Sequence, residues 1–238
     1  NLHPLSWTNL SRLASAAQPS WRDTLAPSLG CLLETSGRVV SSGSNLRARE
    51  LANVAHGVAK SMCGPVASGL LDELASTIEQ HAASCNAQEL ANVAYAYAKA
   101  EHGAPLLFAA IAAAAGQRVS EFNAQELSIA VHAFAKAGHA APVLFGNLAT
   151  ACTARLDDFT PQGIANTVWA YAAAAHPSPA LFDAVARTSV PRVRDFNPQD
   201  LSITVHAFAK AGHASPALFE AVASTAVQRL GSFTPQGL

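Results

Sequence analysis

The chain contains four lysines, Lys60, Lys99, Lys136 and Lys210. Each stands four residues after a flat ring: His56, Tyr95, His132 and His206. Seven residues before each lysine comes Asn53, Asn92, Ile129 or Ile203, and eleven before it comes Arg49, Gln88, Gln125 or Gln199. A further set keeps the order but ends in alanine: Gln162, Asn166, Trp169 and Ala173. At roughly 100° per helical residue these four positions share a wedge of about 60°. One helix face then offers an amide or guanidinium, an Asn or Ile, a ring and an ammonium. Single-stranded nucleic acid needs that combination. Rings stack on exposed bases for about 1–3 kcal/mol per base, amides bond base edges, and ammonium groups hold phosphates. The candidate base-reading residues are Asn53, His56, Asn92, Tyr95, Ile129, His132, Asn166, Trp169, Ile203 and His206. Lys60, Lys99, Lys136 and Lys210 are the backbone-binding candidates, with Arg49, Gln88, Gln125, Gln162 and Gln199 in support.

The same stripe has a plainer reading. Lysine in the last turn of a helix complements the helix dipole, and His or aromatic residues can pack between neighbouring helices instead of facing a ligand. Against this stands the placement of every lysine in one slot.

The elements that must carry these residues follow from internal repetition. Phe122–Phe145 reads FNAQELSIAVHAFAKAGHAAPVLF and Phe196–Phe219 reads FNPQDLSITVHAFAKAGHASPALF, with 19 of 24 positions identical. From Phe159 the same pattern runs as FTPQGIANTVWAYAAAAHPSPALF. The leading residues are Leu46, Cys85, Phe122, Phe159, Phe196 and Phe233, spaced 39, 37, 37, 37 and 37 residues apart. The expected fold is an all-α solenoid of helix-turn-helix repeats with a 37-residue period. Five hairpins occupy 46–84, 85–121, 122–158, 159–195 and 196–232, and a sixth begins after them. Asn86, Asn123, Thr160, Asn197 and Thr234 are placed to cap the first helix of each pair, with Glu89, Glu126 and Asp200 as capping partners. Pro161, Pro198 and Pro235 suit the first helical turn. Pro105, Pro142, Pro179 and Pro216 open the second helices. Leu127, Val131 and Phe134, with their equivalents Leu90, Ala94, Tyr97 and Leu201, Val205, Phe208, form the core face.

Two more columns recur. His102, His139, His176 and His213 sit in the interhelix turn, where a histidine bonding a free carbonyl is the expectation, ahead of a ligand or catalyst. Arg118, Arg155, Arg192 and Arg229 close the second helix, where satisfying the helix end is favoured over holding phosphate. Residues 1–45 are less regular and read either as a degenerate amino-terminal helical cap or as the end of a targeting segment. The chain starts at Asn1 and stops at Leu238 in mid-pattern, and is read as a piece of something longer.

Composition narrows the function further. Half of the 238 residues are hydrophobic, 13% are charged, and the formal charge is −1. A core is therefore available and wholesale disorder is excluded, while a bulk polycation that coats nucleic acid indiscriminately is also excluded. No stretch of about 18 apolar residues spans a bilayer. Cys31, Cys63, Cys85 and Cys152 lie far apart without a C-x-x-C, so neither a zinc site nor a disulfide framework is indicated. There is no Gly-rich phosphate loop, no metal-ligand spacing and no nucleophile–base pair. The reading is of a protein that is not an enzyme, with no cofactor, no metal and no small-molecule substrate.

The unit Phe-Asn/Thr-Pro-Gln-x-Leu-x-Asn/Ile-x-x-x-Ala-Phe/Tyr-Ala-x-Ala-x-His, followed by Pro-x-Leu-Phe, resembles the octotricopeptide and heptatricopeptide repeats of organelle RNA factors. It is similar to arrays in algal chloroplast translation factors, in proteins bearing RAP or FAST-kinase-like domains, and in a kinetoplastid mitochondrial RNA-editing substrate-binding subunit. The likeness covers Leu46 to Leu238, and the 37-residue spacing agrees better with the heptatricopeptide form. The resemblance implies sequence-selective binding of single-stranded organelle RNA, in a mitochondrion or chloroplast, in support of processing, editing, stability or translation. Other RNA-processing proteins are implied as partners. The alternative function is a protein–protein interaction scaffold of the same architecture, suited by the near-neutral, alanine-rich surface.

Overall fold

Residues 64–229 are described in the computed structural model, with side chains from Ser68 onward, together with Leu51, Val54 and Ala55. The segment at 1–45, most of the leading helix of the repeat at 46–84 and the start of the sixth repeat lie outside the described residues.

Nine α-helices and no strand are present among the described residues. The chain divides into two units, residues 1–117 and 118–238. In the first, α1 (Gly64–His81), α2 (Ala87–Ala100) and α3 (Pro105–Gln117) pack together, α3 touching both α1 and α2. The second holds three hairpins: α4 (Ala124–Lys136) with α5 (Pro142–Ala154), α6 (Pro161–Ala173) with α7 (Pro179–Ser189), and α8 (Pro198–Lys210) with α9 (Pro216–Gln228). Within this second unit α6 packs between α4 and α8, and α7 touches both α5 and α9. Within this unit the leading helices form one layer and the trailing helices another.

Local chemistry explains where each helix begins. Asn86 and Asn123 accept from the backbone N–H of Glu89 and Glu126, whose carboxylates accept in turn from the asparagine N–H, all at 2.9 Å. These are complete capping boxes. Thr160 caps α6 through the Gly163 N–H, and Asn197 caps α8 through the Asp200 N–H. Asp200 departs from the expectation that it completes a box. It is one methylene shorter than glutamate and does not close a full box; its carboxyl is buried, and burial holds it above the usual carboxylate range against the lowering effect of the Asn197 backbone N–H. The trailing helices open on Pro105, Pro142, Pro179 and Pro216, as the pattern predicts.

Helix ends obey the same accounting. After α4, the Gly138 N–H bonds the Ala135 carbonyl and the His139 N–H bonds the Phe134 carbonyl, and Gly138 takes φ 64°. This is the Schellman arrangement, repeated at Gly212 with φ 65°. The equivalent residues in the other repeats, Glu101 and Ala175, take φ 53° and 50° without glycine's freedom. Single 3₁₀ turns at Val119–Glu121 and Leu156–Asp158, and a longer one at Val190–Asp195, follow the trailing helices of repeats 85–121, 122–158 and 159–195. The sequence pattern gave no sign of them.

The arginine column is structural. Arg155 donates to the Phe122 carbonyl, Arg192 to that of Phe159 at 2.8 Å, and Arg229 to that of Phe196 at 2.7 Å. Each guanidinium therefore buckles the end of a hairpin onto its own first residue. Buried tyrosines tie a leading helix to the trailing helix before it: Tyr97 donates to the Leu71 carbonyl and Tyr171 to that of Phe145, both at 2.7 Å. Burial pushes both phenols well above their ordinary range. The predicted core face is buried throughout except for Val205, which is half-buried because α8 is flanked by α6 on one side only among the described residues.

The strain at position 175 is testable. Ala175→Gly removes a left-handed Cβ penalty of about 1–2 kcal/mol at the cost of some unfolded-chain entropy. A net gain of about 0.5–1 kcal/mol is expected in denaturant unfolding, whereas Gly138→Ala loses about 1 kcal/mol or more.

Candidate nucleic-acid interface

Caps and hairpin buckles fix how each leading helix is rotated, so the stripe positions emerge together. Gln88, Gln125, Gln162 and Gln199 are exposed, as are Lys99, Lys136 and Lys210. Asn92, Ile129, Asn166 and Ile203 are half-buried, as are Tyr95, His132 and Trp169, while His206 is exposed. No described stripe residue lies in the core. Arg49, Asn53, His56 and Lys60 lie outside the described residues.

In the first unit, the Lys99 ammonium sits 5.8 Å from the centroid of the Tyr95 ring, one helical turn before it. This is cation–π distance. The ammonium and ring are thus a coupled pair, and a base that stacks on the covered face of Tyr95 must first displace Lys99.

In the second unit the stripe crosses from helix to helix. The His132 ring on α4 and the Trp169 ring on α6 lie 4.9 Å apart, inclined at 34°. The leading helices thus present equivalent positions side by side, and the rings pack on each other instead of standing as separate platforms. The packing alternative for the rings is therefore part of the arrangement: one face of each is taken by its neighbour. Partial burial holds the His132 imidazole below its ordinary pKa, and the nearby Lys136 charge lowers it further. Both effects favour the neutral ring beside the indole. Next to them, Ser128 donates to the Gly163 carbonyl at 3.3 Å, another link between α4 and α6.

Ala173 stands where a fourth described lysine would be, so α6 offers the widest ring and no ammonium. Flanking it, α4 and α8 supply Lys136 and Lys210. What the arrangement can do chemically is stack bases, bond their edges through Gln125, Gln162, Gln199 and Asn166, and hold phosphates at its two sides.

Compared with known families, the chain matches the RNA-editing substrate-binding complex 6 protein over residues 15–238. The chain belongs to this family. Curated proteins yield no match. The family match spans nearly the whole sequence, so it takes in every stripe residue rather than one end of the array.

The turn histidines bond free carbonyls, and two of them do more. All four backbone N–H groups bond helix-end carbonyls, and the rings of His102 and His213 also meet carboxylates. His102 Nε2 lies 2.9 Å from Asp72 Oδ1, and His213 Nε2 lies 2.9 Å from Asp183 Oδ1. The carboxylate comes from the preceding trailing helix, thirty residues back, which a motif confined to the turn cannot reveal. Among the described residues no cluster of three His, Cys, Asp or Glu side chains is placed to hold a metal ion. Cys85 and Cys152 are buried thiols, and burial pushes Cys152 up to about 12, which leaves it unreactive at neutral pH. No helix among the described residues is long and apolar enough to cross a membrane.

The His132–Trp169 contact has a pH signature. Because the folded-state pKa is lowered, the stability from the neutral ring is complete above the unfolded value near 6.5 and is lost as pH falls through the folded value. In a Trp7→Phe/Trp21→Phe background, Trp169 emission is expected to titrate with a midpoint below 6.5, since an imidazolium quenches indole. Lys136→Gln should move that midpoint upward, and an unmoved midpoint would contradict the charge coupling.

Proposed function

We propose that this chain is a non-catalytic α-solenoid of 37-residue, heptatricopeptide-like repeats that binds single-stranded RNA along its leading helices. Its place is in the RNA-editing substrate-binding complex of the mitochondrion, alongside other RNA-processing proteins. The carrying observation is the stripe: amide, half-buried Asn or Ile, ring and exposed lysine recur on α2, α4 and α8, and α6 repeats it with Trp169 and no lysine. The family to which the chain belongs is named for RNA editing and substrate binding, which supports the RNA reading and the mitochondrial placement. The recurrence of leading-helix starts at Ala87, Ala124, Pro161 and Pro198 supports the solenoid.

Within that reading, Asn92 and Tyr95, Ile129 and His132, Asn166 and Trp169, and Ile203 and His206 meet bases. Repeats of this kind take about one base each. Because His132 and Trp169 share a stack, the bases they meet are read together and not one by one. Lys60, Lys99, Lys136 and Lys210 hold phosphates, and Ala173 leaves the repeat at 159–195 with the weakest hold on the backbone.

Four lysine contacts give an expected log–log salt slope of roughly −3, at about −0.7 per phosphate for single strands. Replacing all four with Gln should weaken binding to every sequence and flatten the slope. Trp169→Ala should cost about 1–3 kcal/mol, concentrated at one or two bases. Selection from a random single-stranded RNA pool followed by filter-binding titrations measures both. Unchanged affinity in the quadruple lysine variant, with partner capture that survives nuclease, would replace this reading with a protein scaffold.

A further inference from the structure

The His102–Asp72 and His213–Asp183 pairs occupy one repeat position, whose carboxylate is missing in the two repeats between them, where Ala109 precedes His139 and Gly146 precedes His176 by thirty residues. The residue thirty before His176 is Gly146, on α5. The His176 ring is nevertheless posed as its sister is. It lies 5.5 Å from the Phe145 ring at 35° and 5.9 Å from Tyr171. His213 lies 5.4 Å from Phe182 at 39° and 5.8 Å from Phe208, the residues one repeat later. With His213 so posed, its Nε2 meets a carboxylate oxygen at 2.9 Å. The ring nitrogens of His176 carry no hydrogen bond within the described residues.

A cavity of about 540 Å³ lies where the carboxylate would be. It is lined by Gly146, Ala149 and Ala154 of α5, by His176 and Pro177 of the turn, and by Leu181 of α7, among others. No Lys, Arg, Asp or Glu lines it. The hydroxyls of Thr150 and Thr153 donate to their own helix, at the carbonyls of Gly146 and Ala149. Ser178, also in the wall, leads α7 without capping it, so its hydroxyl remains available beside His176.

We propose that the Gly146–His176 cavity is a docking pocket for an aspartate or glutamate side chain of a partner protein, which supplies in trans the carboxylate that Asp72 and Asp183 supply in cis. The sister repeats fix the chemical class of the ligand, because the same histidine pose holds a carboxylate twice in this chain. The apolar walls fix its source. A phosphate of RNA calls for several cationic or N–H donors, whereas one imidazole, one hydroxyl and small apolar walls suit a single carboxylate flanked by apolar residues. The pocket lies on the trailing layer and includes no stripe residue, so it stands independently of the RNA reading.

The test fills the pocket from within. A Cβ at Gly146 meets nothing within 4 Å, so an aspartate is accommodated there. In the full 238-residue chain with ¹⁵N-labelled histidine, His176 is assigned by His176→Gln, and His102 and His213 serve as references. Gly146→Asp is expected to bring the His176 imidazole signals to the Nε2-protonated pattern of His213, while Gly146→Ala leaves them in place. In the wild-type chain, N-acetyl-Ala-Asp-Ala-amide should shift the His176 signals saturably with millimolar affinity, and Gly146→Asp should weaken that response about tenfold or more. The Ala-Asn-Ala peptide and methyl phosphate should leave the signals unmoved. The proposal is overturned if Gly146→Asp matches Gly146→Ala, or if the Asp and Asn peptides act alike. It is equally overturned if methyl phosphate shifts His176 as strongly as the Asp peptide, which would make the pocket a phosphate site.

Discussion

At the head of each hairpin in residues 118–229 stands a phenylalanine whose carbonyl lies outside the helical ladder. A guanidinium from the end of the same hairpin bonds it. A backbone oxygen at a buried phenylalanine left without a partner is costly, so this contact holds the two helices of a hairpin in one relative setting. The setting has consequences at both faces. It fixes the rotation of the leading helix, hence which residues are exposed, and it fixes the approach of the trailing helix to the next turn, hence what the turn histidine meets.

On the leading side the outcome is a polar face over an alanine-rich layer. Buried alanines such as Ala91, Ala94, Ala130, Ala133, Ala165 and Ala170 leave no bulk between the helices. The rings beside them can therefore reach across, as His132 and Trp169 do. Selectivity built on such a face is collective. A ring already engaged by an ammonium or by another ring offers one side to a ligand, and its electronic state depends on its neighbour. This couples the lysine column to the ring column through Lys99 with Tyr95 and through Lys136 with His132.

On the trailing side the repeats are less uniform than their sequences imply. Aspartate, alanine, glycine and aspartate occupy the same slot at 72, 109, 146 and 183, and at the glycine the histidine–carboxylate contact gives way to a recess. An array whose units share a backbone can thus carry distinct sites through single-residue omissions. On the proposed reading the two layers divide the work, the outward stripe taking a polyanionic strand and the recess one acidic side chain.

Much of this was legible in the sequence. Capping asparagines, opening prolines and the Gly-His turns act within a few residues of themselves, so helix starts, ends and exposed faces follow from spacing alone. That is why the four positions of each described repeat lie on one accessible side, and why the arginines at 155, 192 and 229 behave as helix-end residues. The partnerships were not legible. His213 with Asp183, His132 with Trp169 and Arg192 with the Phe159 carbonyl join residues 30 to 37 apart in the chain. Asp200 shows the same limit locally: it has the spacing of a capping partner, but its shorter side chain does not close the full box that Glu89 and Glu126 close. Sequence determined which groups each helix presents, because that is a matter of local hydrogen bonds and periodicity. Only the packing of one hairpin on the next decided which of those groups meet, because that depends on distances no single repeat contains.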